Sequence, residues 1–113
     1  MTIKVQNFYP ALNYTVTGTN SSVAQAISQP PNVSGSAGNA GGYTDVQFYN
    51  PNAFMAYASW ATNGTATAST SGSVPLPPTT TIVYSMGQPA TSIAVILGTA
   101  SSAPIYVSVG DGM

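Results

Sequence analysis

The chain has 113 residues and a formal net charge of −1, and only 3% of its residues are charged: Lys4, Asp45 and Asp111. An ordinary soluble domain has roughly a quarter of its residues charged. With His and Cys both absent, disulfides, imidazole or thiolate metal sites and any hydroxyl nucleophile activated by His are excluded.

Taken in chain order, apolar residues recur with period two rather than 3.6, which predicts strands with one side on a core. The first candidate covers 2–8, and Pro10 separates it from a second over 12–17. A third spans 23–28. The run Ser34–Gly42 has only small residues and reads as an exposed loop. Asp45 then opens a strand over 44–49, in which Val46 and Phe48 alternate with Gln47 and Tyr49. After the turn Asn50-Pro51-Asn52, Phe54, Ala56, Ala58 and Trp60 alternate with Met55, Tyr57 and Ser59 over 53–62. Asn63-Gly64 suits a two-residue type I′ hairpin that pairs Thr62 with Thr65 and Trp60 with Thr67, with a strand over 65–71; the alternative is a longer loop without that pairing. Pro77-Pro78 precedes a strand over 79–86 containing Ile82, Tyr84 and Met86. Strands over 92–99 (Ile93, Val95, Leu97) and 103–109 (Ile105, Val107, Val109) follow, and Asp111 sits in a closing Gly-Asp-Gly turn.

Eight or nine short antiparallel strands cannot bury their apolar faces alone, so two sheets must stack. The prediction is a single all-β domain over 1–113, an antiparallel β-sandwich of jelly-roll type. At this size about 65% of the extended chain's surface is buried on folding, enough for one core. The apolar fraction of 43% argues against disorder. The longest apolar run, Ile93–Leu97, is too short to span a bilayer. The first residues carry no secretory apolar segment, so cytoplasmic synthesis is expected.

Chemistry has few carriers. The side-chain carboxylates are Asp45 and Asp111, and the only side-chain amine is Lys4; acid–base catalysis needs a titratable group with a partner that tunes it. No catalytic residue, metal ligand or cofactor site is expected, and so no enzyme. A single Lys cannot neutralise the several phosphates that nucleic-acid binding requires. The aromatic residues Tyr9, Tyr14, Tyr43, Tyr49, Tyr57, Tyr84, Tyr106 and Trp60 allow a sugar-stacking platform, although such residues are also favoured in strands and at protein interfaces.

The Pro-bounded Ser73-Val-Pro-Leu-Pro-Pro78, the strand Thr79–Met86, the run Thr91-Ser-Ile-Ala-Val-Ile-Leu-Gly98 and the closing Ile105–Met113 resemble small virion proteins of tailed bacteriophages, particularly capsid decoration or cement proteins. The resemblance covers roughly the C-terminal half. It implies an all-β fold, many copies on a shell and no catalysis, and it carries over no individual residue.

The expectation is therefore a non-enzymatic structural protein on the capsid surface of a virion, cementing neighbouring major capsid subunits and associating with itself as a dimer or trimer. Its partners would include neither nucleic acid nor membrane. Candidate contact residues, chosen by position, are Thr2, Ile3, Lys4, Val5, Tyr9 and Tyr43. The alternatives are a head–tail, collar or tail-fibre component, and a carbohydrate-binding module for host attachment.

Overall fold

The computed structural model describes residues 8–28 and 43–112. Thr2, Ile3, Lys4 and Val5, most of the first predicted strand and the predicted 34–42 loop lie outside the described residues. The described residues form eight strands: β1 (Phe8–Gly18), β2 (Val23–Ala26), β3 (Asp45–Asn50), β4 (Ala56–Ala61), β5 (Val74–Leu76), β6 (Thr80–Ser85), β7 (Ser92–Leu97) and β8 (Ala103–Gly112). The pairings are nested: β1 with β8, β2 with β7, β3 with β6 and β4 with β5, all antiparallel. The chain is thus one long hairpin wound over a core. Two further ladders, β3–β8 and β4–β7, complete the sheets. Their orders are β1-β8-β3-β6 and β2-β7-β4-β5, the arrangement of a jelly roll.

The period-two pattern dictates which side of each strand enters the core. Val46 and Phe48 of β3, Ile93, Val95 and Leu97 of β7, and Ile105, Val107 and Val109 of β8 are all buried, as are Ala56 and Ala58 of β4. Trp60 stands beside Phe48, ring centroids 6.4 Å apart, and beside Tyr84 at 5.8 Å. Between the sheets, the buried Asn50 at the end of β3 donates through Nδ2 to Phe54 O and Leu76 O, each at 2.9 Å. Its Oδ1 accepts from Asn52 N and Asn52 Nδ2 at 3.0 Å. A residue read from sequence as part of a turn thereby ties β3 to β5 of the opposite sheet, with its buried polar atoms satisfied.

Four expectations are corrected. Pro10 does not end a strand: β1 runs through it, and the register shift between Pro10 and Leu12 absorbs the disruption as a bulge. Asp111 is not in a turn, because β8 continues to Gly112 and pairs Asp111 with Tyr9. The Ser73–Pro78 stretch, which lies outside every predicted strand, contains β5 (Val74–Leu76) on the edge of a sheet, where Pro75 is tolerated.

The fourth correction is the largest. No hairpin forms at Asn63-Gly64 and residues 65–71 are not a strand. Gly64 has φ of 80°, but Asn63 is not in the positive region, which a type I′ turn requires at both positions. Trp60 and Ala61 pair instead with Ile93 and Ser92 of β7. Thr91 closes the turn, its N donating to Ala61 O at 2.8 Å and its Oγ1 to Gly64 O at 3.2 Å. Central β7 satisfies the β4 edge, and residues after Gly64 gain burial by crossing the outside of the sheet.

Candidate interaction surface

The two sheets present very different outer faces. On the outer face of the β2-β7-β4-β5 sheet, Ile96 of β7 and Tyr57 of β4 stand at one end beside Pro75 of β5, and Ser92, Ala94, Ser59 and Ala61 toward the other end are small. Residues 62–73 lie across them as a strap. Ala66 and Ala68 are buried against Ala94, which is 0% exposed although it points away from the core. Serine hydroxyls fasten the strap by accepting from backbone amides: Ala66 N donates to Ser92 Oγ at 3.0 Å and Ala68 N to Ser22 Oγ at 2.9 Å. Its return end is held by Ser69 N donating to Ser73 Oγ at 2.9 Å and by a short contact between the Ser59 and Ser73 hydroxyls. Small side chains permit this close approach, and the hydroxyls replace the ladder partners the strap lacks.

The β1-β8-β3-β6 sheet has no such strap among the described residues. Alternation sends Asn13, Thr15 and Thr17 of β1, Tyr106 and Ser108 of β8, Gln47 and Tyr49 of β3, and Thr81, Val83 and Ser85 of β6 outward. The registers align Thr15, Tyr106, Tyr49 and Thr81 in one row across the sheet. Tyr49 and Tyr106 are the exposed large hydrophobics, at 39% and 43%, and their rings stack with centroids 6.0 Å apart and planes 19° apart. In the next row Ser108 Oγ donates to Asn13 Oδ1 at 2.6 Å. Among the described residues this face offers aromatic area and neutral donors and acceptors on rigid strands, with Asp45 at its border. Asp45 itself is 5% exposed and lies between Ser85 and Gly110 in the ladders.

Of the positional candidates, Tyr9 and Tyr43 lie among the described residues, and Thr2, Ile3, Lys4 and Val5 lie outside them. Tyr43 is half-buried and packs against the core. Tyr9 pairs with Asp111 toward the end of the β1–β8 ladder. The eight aromatics do not form one platform: Trp60 and Tyr84 pack into the sandwich, and the Tyr14 hydroxyl accepts from Ser28 N at 3.2 Å. Tyr49 and Tyr106, expected only as two of the eight aromatics of a sugar-stacking platform and not as contact residues, are the pair that stacks on the exposed face. Alternation signals that each points outward, but their adjacency depends on β3 pairing β8 across most of the chain.

A shallow cleft of about 160 Å³ lies beside the strap's return end, lined by Ala58, Ser59, Trp60, Gly72, Ser73 and Val74. It is smaller than the ~300 Å³ at which small-molecule sites begin. Among the described residues no group of three or more His, Cys, Asp or Glu side chains is placed to hold a metal, and no helix is long and apolar enough to cross a membrane. No family model, curated protein or solved structure matches the chain.

Proposed function

We propose that this chain is a non-enzymatic virion structural protein that binds the outside of a phage capsid and cements neighbouring major capsid subunits. The observation that carries the reading is the bare, neutral outer face of the β1-β8-β3-β6 sheet, with Tyr49 and Tyr106 exposed at its middle. Protein interfaces favour aromatic residues and lose charge toward their centres, and this face has both properties on a backbone that needs no ordering on binding. The jelly roll also recurs in viral capsid domains. Burying the face across a junction between subunits stabilises the assembled shell by mass action. With few ion pairs to screen, attachment depends weakly on salt.

The test is made on purified particles. A stained gel showing hundreds of copies fits decoration, whereas six or twelve copies assign the chain to the portal, collar or tail. A particle lacking the protein should break at lower temperature than the complete one; equal heat resistance removes the cementing role.

The Tyr49–Tyr106 pair favours a second reading, a carbohydrate-binding module, because jelly rolls also serve as lectins and rings can stack on sugars. Glycan-array binding that disappears on substituting Tyr49 or Tyr106 would support it; substitution of Trp60 is uninformative because that ring packs in the sandwich.

A further inference from the structure

Among the described residues each sheet ends in two edge strands, and an edge exposes unpaired backbone groups that can template another strand. Three of the four edges here carry a recognised guard. β2 has four residues, β5 has three with Pro75 in the middle, and β1 is interrupted by Pro10 and its bulge. β6, Thr80-Thr-Ile-Val-Tyr-Ser85, has none: it is regular, without charge, proline or bulge, and rich in β-branched residues.

The direction of its free groups follows from the register. Met86 N donates to Thr44 O at 2.7 Å, extending the β3–β6 ladder by one closely bonded pair. In an antiparallel ladder such pairs alternate with pairs whose amides and carbonyls point away from each other. Thr80, Ile82 and Tyr84 therefore bond to β3, and Thr81, Val83 and Ser85 direct N–H and C=O to the open edge. The same three residues project their side chains onto the bare outer face. β1 leaves a comparable free set after its bulge, at Asn13, Thr15 and Thr17, but every side chain there is polar. At β6 the central residue of the free set is the half-buried, apolar Val83.

We propose that β6 is a homodimer edge: it pairs antiparallel with β6 of a second copy about a dyad through Val83. Val83 then lies opposite Val83 of the second copy, and Thr81 opposite Ser85, each pair exchanging both backbone bonds. The set is self-complementary, as a twofold interface requires. A valine pair forms its centre, flanked by hydroxyl pairs, and no charges face each other. The dyad is perpendicular to the sheet, so both bare faces point the same way and join into one continuous surface. The inference stands on the edge alone and does not depend on a capsid partner.

Val83→Pro tests it, because proline removes an N–H that the monomer's ladder does not use. Sedimentation across a concentration series should show the wild-type chain dimerising and the variant, folded by circular dichroism, weakened about tenfold or more. If Val83→Pro does not fold, Val83→Lys decides, since it sets two like charges opposite each other without altering the backbone. The chain has no Cys, so Val83→Cys should give a disulfide-linked dimer on mild oxidation faster than Thr15→Cys does. A wild-type chain that stays monomeric throughout overturns the proposal. So does a dimer that survives Val83→Pro or Val83→Lys, and so does one abolished by Thr15→Pro, which would mean pairing through β1.

Discussion

The two outer faces of the sandwich use the same kinds of residue in opposite ways. On the β2-β7-β4-β5 sheet, Ser92, and Ser22 just before β2, turn their hydroxyls toward backbone amides of the 62–73 strap, and Ala94 lies beneath Ala66 and Ala68. On the β1-β8-β3-β6 sheet, Thr15, Thr17 and Thr81 point to solvent, and the tyrosines stack on each other with no covering segment among the described residues. A weakly charged chain must satisfy its polar groups with other neutral ones. One sheet does so internally and gains a second hydrophobic layer; the other leaves its capacity available. Function is therefore expected on the open face, and stability on the strapped one.

The sharpest way to break this contrast is to enlarge a side chain on each face. Ala94→Leu puts a branched side chain where there is no space, so the strap must lift or the sheet must shift, at a cost of about 2 kcal/mol. The matching change on the open face, Thr15→Leu, should move stability by no more than about 0.5 kcal/mol. Urea midpoints compare them directly, and equal losses would mean that the open face is covered too. Removing a hydroxyl is the next step down. Ser92→Ala leaves the Ala66 amide buried without its acceptor, costing about 1–2 kcal/mol, whereas Ser108→Ala removes an exposed bond to Asn13 and should cost about 0.5 kcal/mol or less. Loss of protection from hydrogen exchange at the Ala66 amide would locate the first effect in the strap.

The strap also marks where sequence reasoning reached its limit. Core positions were legible because Val46–Phe48, Ile93–Leu97 and Ile105–Val109 alternate, and an alternation fixes which side is buried whatever the pairing. Thr65-Ala-Thr-Ala68 alternates as well. Its alanines are buried by lying on Ala94 and not by joining a ladder, a distinction that the local pattern does not contain. The hairpin signal at Asn63-Gly64 lost to the β4–β7 ladder, whose partners are some thirty residues apart in sequence, as with Trp60 and Ile93. The same holds for the surface: outward orientation of Tyr49 and Tyr106 follows from their neighbours, but their stacking arises from a long-range pairing. Asn50 was hidden for another reason. Asn before Pro is common in turns, and only the tertiary fold shows its amide reaching Leu76 O in the other sheet.

If the open face serves binding, Tyr106→Ala should separate stability from function. It forfeits the ring pair and some contact area, about 1 kcal/mol of stability or less, and leaves the core untouched. Attachment to particles should fall much further, because aromatic side chains near the middle of an interface contribute disproportionately. Binding that declines only in step with the unfolded fraction would show that this face is merely solvated, and the functional contrast between the faces would fail.

The smallest expected effect concerns the seam between the two sheets. Tyr84 of β6 donates its hydroxyl to Pro75 O of β5 at 3.0 Å, and desolvation by burial raises its phenol above the ordinary value of 10.0. A folded-state value above the unfolded one means that the native chain holds this proton more tightly. The contribution is complete below the ordinary value and is lost as pH rises through the folded one, where ionisation also removes the donor. Wild type and Tyr84→Phe should therefore differ by a constant amount in urea midpoint at neutral pH and converge as alkali removes the wild-type advantage. Curves that stay parallel through the alkaline range would show that the phenol proton does not help hold the open sheet to the strapped one.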